Sequence, residues 1–237
     1  MTLATDAGAI GTGAVGAGAV GAVRELALKP RLRGWLHAGM APAVLAAGIV
    51  LITLAPTASA RASSVIYIAC GLALFATSGV YHVGRWGARA RDWLRRADHG
   101  NIYLLIAGTY TPVVVLALSG ALRVWLLCVV WTGAALGVGI RMFWPVAPRW
   151  LYTGVYIMLG WTFAPVIGKL LHATGVTVFV LILAGGLVYT AGAVIYARKR
   201  PDPSPKWFGF HEIFHSCTIA AWICQYVAIS FLIYRLR

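Results

Sequence analysis

The sequence predicts an all-α integral membrane protein: a seven-transmembrane helix bundle with its N-terminus in the cytoplasm and its C-terminus outside. Three observations predict it. The 237 residues are 60% hydrophobic and only 11% charged, against about 25% charge in a soluble domain, and the mean hydropathy is +0.81. A chain this apolar can bury its surface only in lipid. Seven apolar runs each stand near the ~20 residues that a hydrocarbon core of about 30 Å requires. Finally, the basic residues are shared unequally between the two sets of loops.

Residues 7–23 are Gly/Ala repeats without Leu or aromatics. They lack the basic start and Leu-rich core of a secretory signal, and glycine is a poor helix former. Residues 1–29 are therefore expected to be a flexible tail before a membrane domain at 30–237. Lys29, Arg31 and Arg33 make a basic entry ahead of Trp35. The apolar runs then fall at about 36–55, 62–84, 98–118, 121–143, 150–168, 175–197 and 209–234. Backbone groups cannot go unpaired in lipid, so runs of this length are helices; the strands of a membrane barrel would be shorter and alternate in polarity. Pro56, Ser119-Gly120, Pro145 with Pro148, Gly175 and Pro201 to Pro205 punctuate the runs. The connections are short, so neighbouring helices are antiparallel.

One side collects Arg24, Lys29, Arg31 and Arg33, then Arg85, Arg89, Arg91, Arg95 and Arg96, then Arg141 and Arg149, then Arg198, Lys199, Arg200 and Lys206. The other holds Arg61, Arg123, Lys169, Arg235 and Arg237. The positive-inside rule makes the richer side cytoplasmic, and an odd number of spans agrees. The net charge of +14 thus reads as topology and pairing with anionic headgroups; no nucleic-acid motif accompanies it, and nucleic-acid binding is not expected. Cys70, Cys128, Cys217 and Cys224 all lie inside apolar runs and form no CxxC, which reads as packing, not ligation or disulfides.

Applied to the unusual residues, this topology brings them to one depth. His82 closes the second run at its cytoplasmic end, with Ser78 one turn deeper on the same face. Asp98 and His99 open the third run. His211 and His215, within His211-Glu-Ile-Phe-His215, open the seventh and share one helix face. Ionisable groups in membrane helices are costly and face a partner or a cavity. Three neutral imidazoles, His82, His211 and His215, with an open fourth position match a catalytic zinc site. Zinc lowers the pKa of its water to about 7, and Asp98 can ligate or take the proton; the start of the third helix would favour its ionised form. Ser78 can hydrogen-bond a ligand or polarise a carbonyl. The plainer readings are that Asp98 caps the third helix and Ser78 bonds its own backbone. His99 points about 100° from Asp98, His37 has a weaker claim, and His172 lies on the opposite side.

The chain resembles the hemolysin III family, the bacterial branch of the progestin and adipoQ receptor family. The matching elements are Pro30-Arg-Leu-Arg-Gly34 with Trp35 and His37, Ser78-Gly-Val-Tyr-His82, Asp98-His-Gly-Asn-Ile102 through Ala107-Gly-Thr-Tyr-Thr-Pro112, and His211-Glu-Ile-Phe-His215. They run in the family's order from about residue 30 to the end. The resemblance implies seven helices, a Zn2+ ion held by His82, His211 and His215, Asp98 approaching it through water, and Ser78 nearby. Related alkaline ceramidases make a lipid amide or ester hydrolase the natural expectation, with a lipid substrate entering from the inner leaflet of a bacterial cytoplasmic membrane. The Glu of HExxH is a general base in soluble metalloproteases. The family's eukaryotic receptors resemble this chain but carry Gln there, which favours Asp98 as base and leaves Glu212 in support or facing a loop. The alternatives are a cytolytic, pore-forming protein, which the scarcity of polar helix stripes argues against, and a ligand-responsive membrane-homeostasis protein with structural zinc.

Overall fold

A computed structural model describes residues 30–144 and 146–237; the Gly/Ala stretch expected to be a flexible tail lies outside them. The helices are α1 (Trp35–Leu54), α2 (Ala58–Val83), α3 (Ala88–Ala117), α4 (Gly120–Phe143), α5 (Arg149–Gly160), α6 (Ile167–Thr174), α7 (Val176–Arg198) and α8 (Phe210–Tyr234). A 3₁₀ turn at Ala164–Val166 joins α5 to α6, and the two together make one span, Arg149–Thr174. Seven helical segments among the described residues are thus long and apolar enough to cross a membrane.

Two elements differ from expectation. The third helix begins at Ala88, ten residues before Asp98. Residues 88–97 are too charged to count as an apolar run, yet Ala, Arg and Leu are strong helix formers and no Pro or Gly interrupts them. Asp98 therefore lies in the third turn of α3. It neither caps the helix nor feels its N-terminal dipole, which fades within the first turn. The fifth run is longer than expected and broken, because Pro165 removes a backbone donor and clashes with the preceding turn; the chain passes through the 3₁₀ turn and resumes as α6 up to Gly175, whose φ is 74°.

α1 to α4 pack in chain order, and α8 returns against α7, α1 and α3. α3 sits at the centre, touching α2, α4, α5, α6 and α8. Lipid tails are as apolar as leucine, so helices associate through close packing and interhelical hydrogen bonds. Both are present. The Tyr67 hydroxyl donates to the Trp222 carbonyl at 3.1 Å, and the Tyr226 hydroxyl to the Ala47 carbonyl at 3.0 Å. Gly79 lets α2 lie directly on α1, since a Cβ there would meet the Cα of Ala38 at 2.9 Å.

That contact is backbone and cannot give way. Gly79→Val is expected to cost about 1–3 kcal/mol, as overpacking does, and to lower the melting temperature in detergent. Gly139→Ala, where an added Cβ meets nothing within 4 Å, is expected to leave it unchanged.

Candidate metal centre

His82 reaches the site from the last turn of α2, and His211 and His215 from the first two turns of α8. One nitrogen or another of each ring lies within 4.8 Å of the others, a grouping that could hold a metal ion; His82 and His215 are buried and His211 is partly so. His82 Nε2 and His211 Nε2 face each other at 3.3 Å. His215 Nδ1 is buried with no hydrogen-bond partner, the kind of orphan that a cation or an ordered water satisfies.

Asp98 comes from α3, with Oδ2 at 3.6 Å from His82 Nε2. That is longer than a direct hydrogen bond and within reach of an ion pair. Ser78, one turn before His82, has a buried hydroxyl without a partner; it does not bond back to its own helix. Ser78, Asp98, His211 and His215 line one pocket of about 470 Å³ of empty space. The structure thus brings together Ser78, His82, Asp98, His211 and His215.

The remaining histidines have other roles. His99 Nδ1 meets the Arg95 carbonyl at 2.7 Å, and a carbonyl only accepts, so Nδ1 donates; Nε2 meets the Tyr196 hydroxyl at 3.2 Å. With both nitrogens engaged, His99 is a wall of the pocket. His37 is buried and stacked on His215, ring centroids 3.7 Å apart and planes 5° from parallel. It backs the His215 ring, lines the same pocket and stands outside the three-histidine group. His172 lies in α6, away from the pocket lining.

Glu212 faces inward with 0% exposure. Its Oε1 accepts from Arg33 Nε at 2.7 Å, and its Oε2 from the Gly209 backbone N–H at 2.8 Å. Asp202 Oδ1 accepts from the next N–H, that of Phe210, at 3.0 Å. Two of the open donors at the start of α8 are thus satisfied by carboxylates, which also suit the positive end of the helix dipole. Arg33 belongs to the entry segment, whose Arg31 N–H donates to the Lys206 carbonyl at 3.0 Å and whose Arg31 guanidinium lies 4.6 Å over the Trp207 ring. Gly34 follows at φ 89°, and a Cβ there would meet His82 Cβ at 2.5 Å. Only glycine fits both demands.

This support was not apparent from sequence. Arg33 reads as one more topology charge, and the one available signal was the Pro30–Gly34 element of the resemblance. Also unforeseen was a large apolar cavity, with about 1100 Å³ of empty space partly open to the surroundings. It adjoins the histidine pocket: Leu74, Ile102, Tyr156, Ala193, Phe214 and Thr218 line both.

A family model described as haemolysin-III related matches residues 26–226. The chain is similar to the Hemolysin-3 homolog of Bacillus subtilis (strain 168), 34% identical over 123 residues that cover 52% of this chain and 58% of that protein. It is also similar to Hemolysin-3 of Bacillus cereus, 38% identical over 114 residues, 48% of this chain and 52% of that one. The chain thus spans a little over half the length of these curated relatives in the matches.

Removing one member of a buried ion pair leaves an uncompensated charge and costs roughly 3–5 kcal/mol. Arg33→Ala is expected to destabilise the protein on that scale and to lower metal content. Arg33→Met and Glu212→Met are each expected to destabilise likewise, and the two together to recover part of the stability. Thermal melts and metal analysis of wild type, the two single Met variants and the double check this double-mutant cycle. His211→Ala with His215→Ala is expected to abolish metal binding.

Proposed function

The chain belongs to the haemolysin-III-related family of integral membrane proteins, and from there we propose that it is a zinc-dependent hydrolase of lipid amides or esters, working at the cytoplasmic face of a bacterial inner membrane. The observation that carries this reading is the continuity between the histidine pocket and the apolar cavity. A site that meets a long apolar cavity at its inner end suits a substrate with a polar, cleavable linkage and an acyl chain. The loops beside the site are the basic ones, which supports a cytoplasmic position and lateral entry of the lipid from the inner leaflet.

The donor set fits zinc. Zn–N bonds of about 2.0–2.1 Å in a tetrahedron put ligand nitrogens roughly 3.3–3.4 Å apart, and His82 Nε2 and His211 Nε2 stand at 3.3 Å. Three histidines leave the fourth position open, as catalytic sites do. Zinc held there would supply Lewis acidity and an acidified water.

The chain's own residues supply the rest. Asp98 Oδ2 takes the proton of the attacking water. Ser78 Oγ donates to the carbonyl oxygen as charge builds there. Phe214, Ile102 and Leu74 hold the first carbons of the acyl chain at the seam between pocket and cavity. Glu212 cannot serve as the base, because both its oxygens are occupied by Arg33 and Gly209. The apolar lining suits an acyl chain better than a column of water, which favours the hydrolase over a pore.

Release of fatty acid from ceramides and acyl esters by the purified, zinc-loaded protein tests the proposal. Asp98→Asn is expected to lower kcat by about 10²–10⁴, the range of a general base, with zinc retained. Ser78→Ala is expected to lower it by about 10²–10³, the scale of one oxyanion donor. No release from any such lipid at full zinc occupancy would overturn the hydrolase and leave the metal a structural role.

A further inference from the structure

Beside the histidine pocket, where α3, α4 and α5 meet, stands a second group of polar atoms. Arg141 lies in the last turn of α4 and is 3% exposed. Its guanidinium sits 4.6 Å over the Tyr152 ring, yet Nε and Nη1 are buried without a hydrogen-bond partner. The hydroxyls of Tyr103, Thr153 and Tyr156 are buried and unpartnered as well. The Tyr103 and Tyr156 rings touch at 4.6 Å, and those of Tyr152 and Tyr156 lie 5.8 Å apart. Gly137, one turn before Arg141 on the same face, abuts Tyr103 so closely that a Cβ would meet the ring at 2.3 Å. The four residues thus stand together where the three helices meet.

Arginine stays charged at any physiological pH, and a buried charge requires a partner. Among the described residues every carboxylate is engaged elsewhere: Asp92 with Arg95, Asp98 with His82 and His99, Asp202 with the Phe210 N–H, and Glu212 with Arg33. None of these four carboxylates neighbours Arg141, and an anion would complete it. A planar guanidinium matches an oxyanion through two parallel bonds, and hydroxyls add further donors.

The setting narrows the anion. Phe143 and Trp144, next to Arg141, are exposed at 91% and 50%, as aromatics at the headgroup level are. The site lies at the bundle end that carries the basic loops, where lipid phosphates gather. Thr153 and Tyr156 also line the histidine pocket, so a headgroup bound here would neighbour that pocket. We propose that Arg141, with Tyr103, Thr153 and Tyr156, forms an oxyanion site that takes a phosphate group. It stands whether or not the histidine pocket turns over.

Binding to the purified, zinc-loaded full chain in detergent tests this, read by native mass spectrometry and thermal shift. The probes are dioctanoyl phosphatidate, dioctanoylglycerol with the same chains and no phosphate, and inorganic phosphate. Wild type and Arg89→Gln, an exposed arginine of α3, are expected to bind phosphatidate alike. Arg141→Gln is expected to weaken it by roughly tenfold or more, and Tyr156→Phe by several-fold, as loss of charged and neutral hydrogen bonds does. Protection by inorganic phosphate with the same Arg141 dependence would identify free phosphate as the ligand of the same site; protection by phosphatidate alone would identify a lipid. Equal phosphatidate affinity in Arg141→Gln, or equal binding of dioctanoylglycerol, would overturn the proposal. If Arg141→Gln fails to fold, Arg141→Lys keeps the charge and loses the fork. Unchanged affinity in both Arg141→Lys and Tyr156→Phe would overturn it equally. Fatty-acid release plays no part in these readouts, so failure here and failure of the hydrolase are separable.

Discussion

One buried carboxylate sets the geometry of the histidine centre. Glu212 is fully enclosed near a membrane surface, a position tolerable only when its charge is paired and hydrogen-bonded. Each of its two oxygens fixes a different part of the structure. The bond from Gly209 closes the first turn of α8 and so sets the height of His211 and His215, one turn apart. The bond from Arg33 draws the entry segment beneath the bundle, where Gly34 presses on His82. All three histidines are thus positioned by one side chain that is not itself part of the group. The Glu of a familiar HExxH pattern is here a strut.

The polar groups around the centre divide by what holds them. His99 is bonded at both nitrogens, and Arg31 and Asp202 tie the entry segment and the connection before α8. His37 contributes an aromatic face to His215. Ser78 Oγ, His215 Nδ1 and both nitrogens of His37 are buried without a hydrogen-bond partner among the described residues. Unsatisfied buried polar atoms are expensive, and natural interiors keep few of them. Their convergence with Asp98 on a single pocket is what gives the pocket a chemical meaning beyond packing.

Seven spans could be read from hydropathy because lipid imposes length and apolarity on each one separately. The convergence of His82, Asp98, His211 and His215 could be read too, since helix direction alternates and depth follows from residue number. What stayed hidden depends on contacts between distant segments. The start of α3 at Ala88 is a helix outside the apolar slab, invisible to hydropathy. The pairing of Arg33 with Glu212 joins residues 179 apart in sequence, and neither residue type announces a partner. That Arg141 Nε and Nη1 find no hydrogen-bond partner among the described residues is likewise a property of its surroundings, since by sequence it is one basic-loop arginine among many.

The apolar cavity is bordered by the break in the fifth span. A helix interrupted within a membrane exposes backbone groups that must find partners inside the protein. Tyr110 of α3 supplies them: its hydroxyl donates to the Gly160 carbonyl at 2.7 Å and accepts from the Phe163 N–H at 3.2 Å. Trp161 is held by its indole N–H on Thr190 of α7 at 3.0 Å. With the turn satisfied, the α-helix stops at Gly160 and resumes only at Ile167. Trp161, Phe163 and Val166 of this turn line the cavity, facing Leu105 and Val113 across it. The break at Pro165 thus lies against the apolar cavity, and through Tyr156, which lines both spaces, the fifth span also reaches the pocket that holds the histidines.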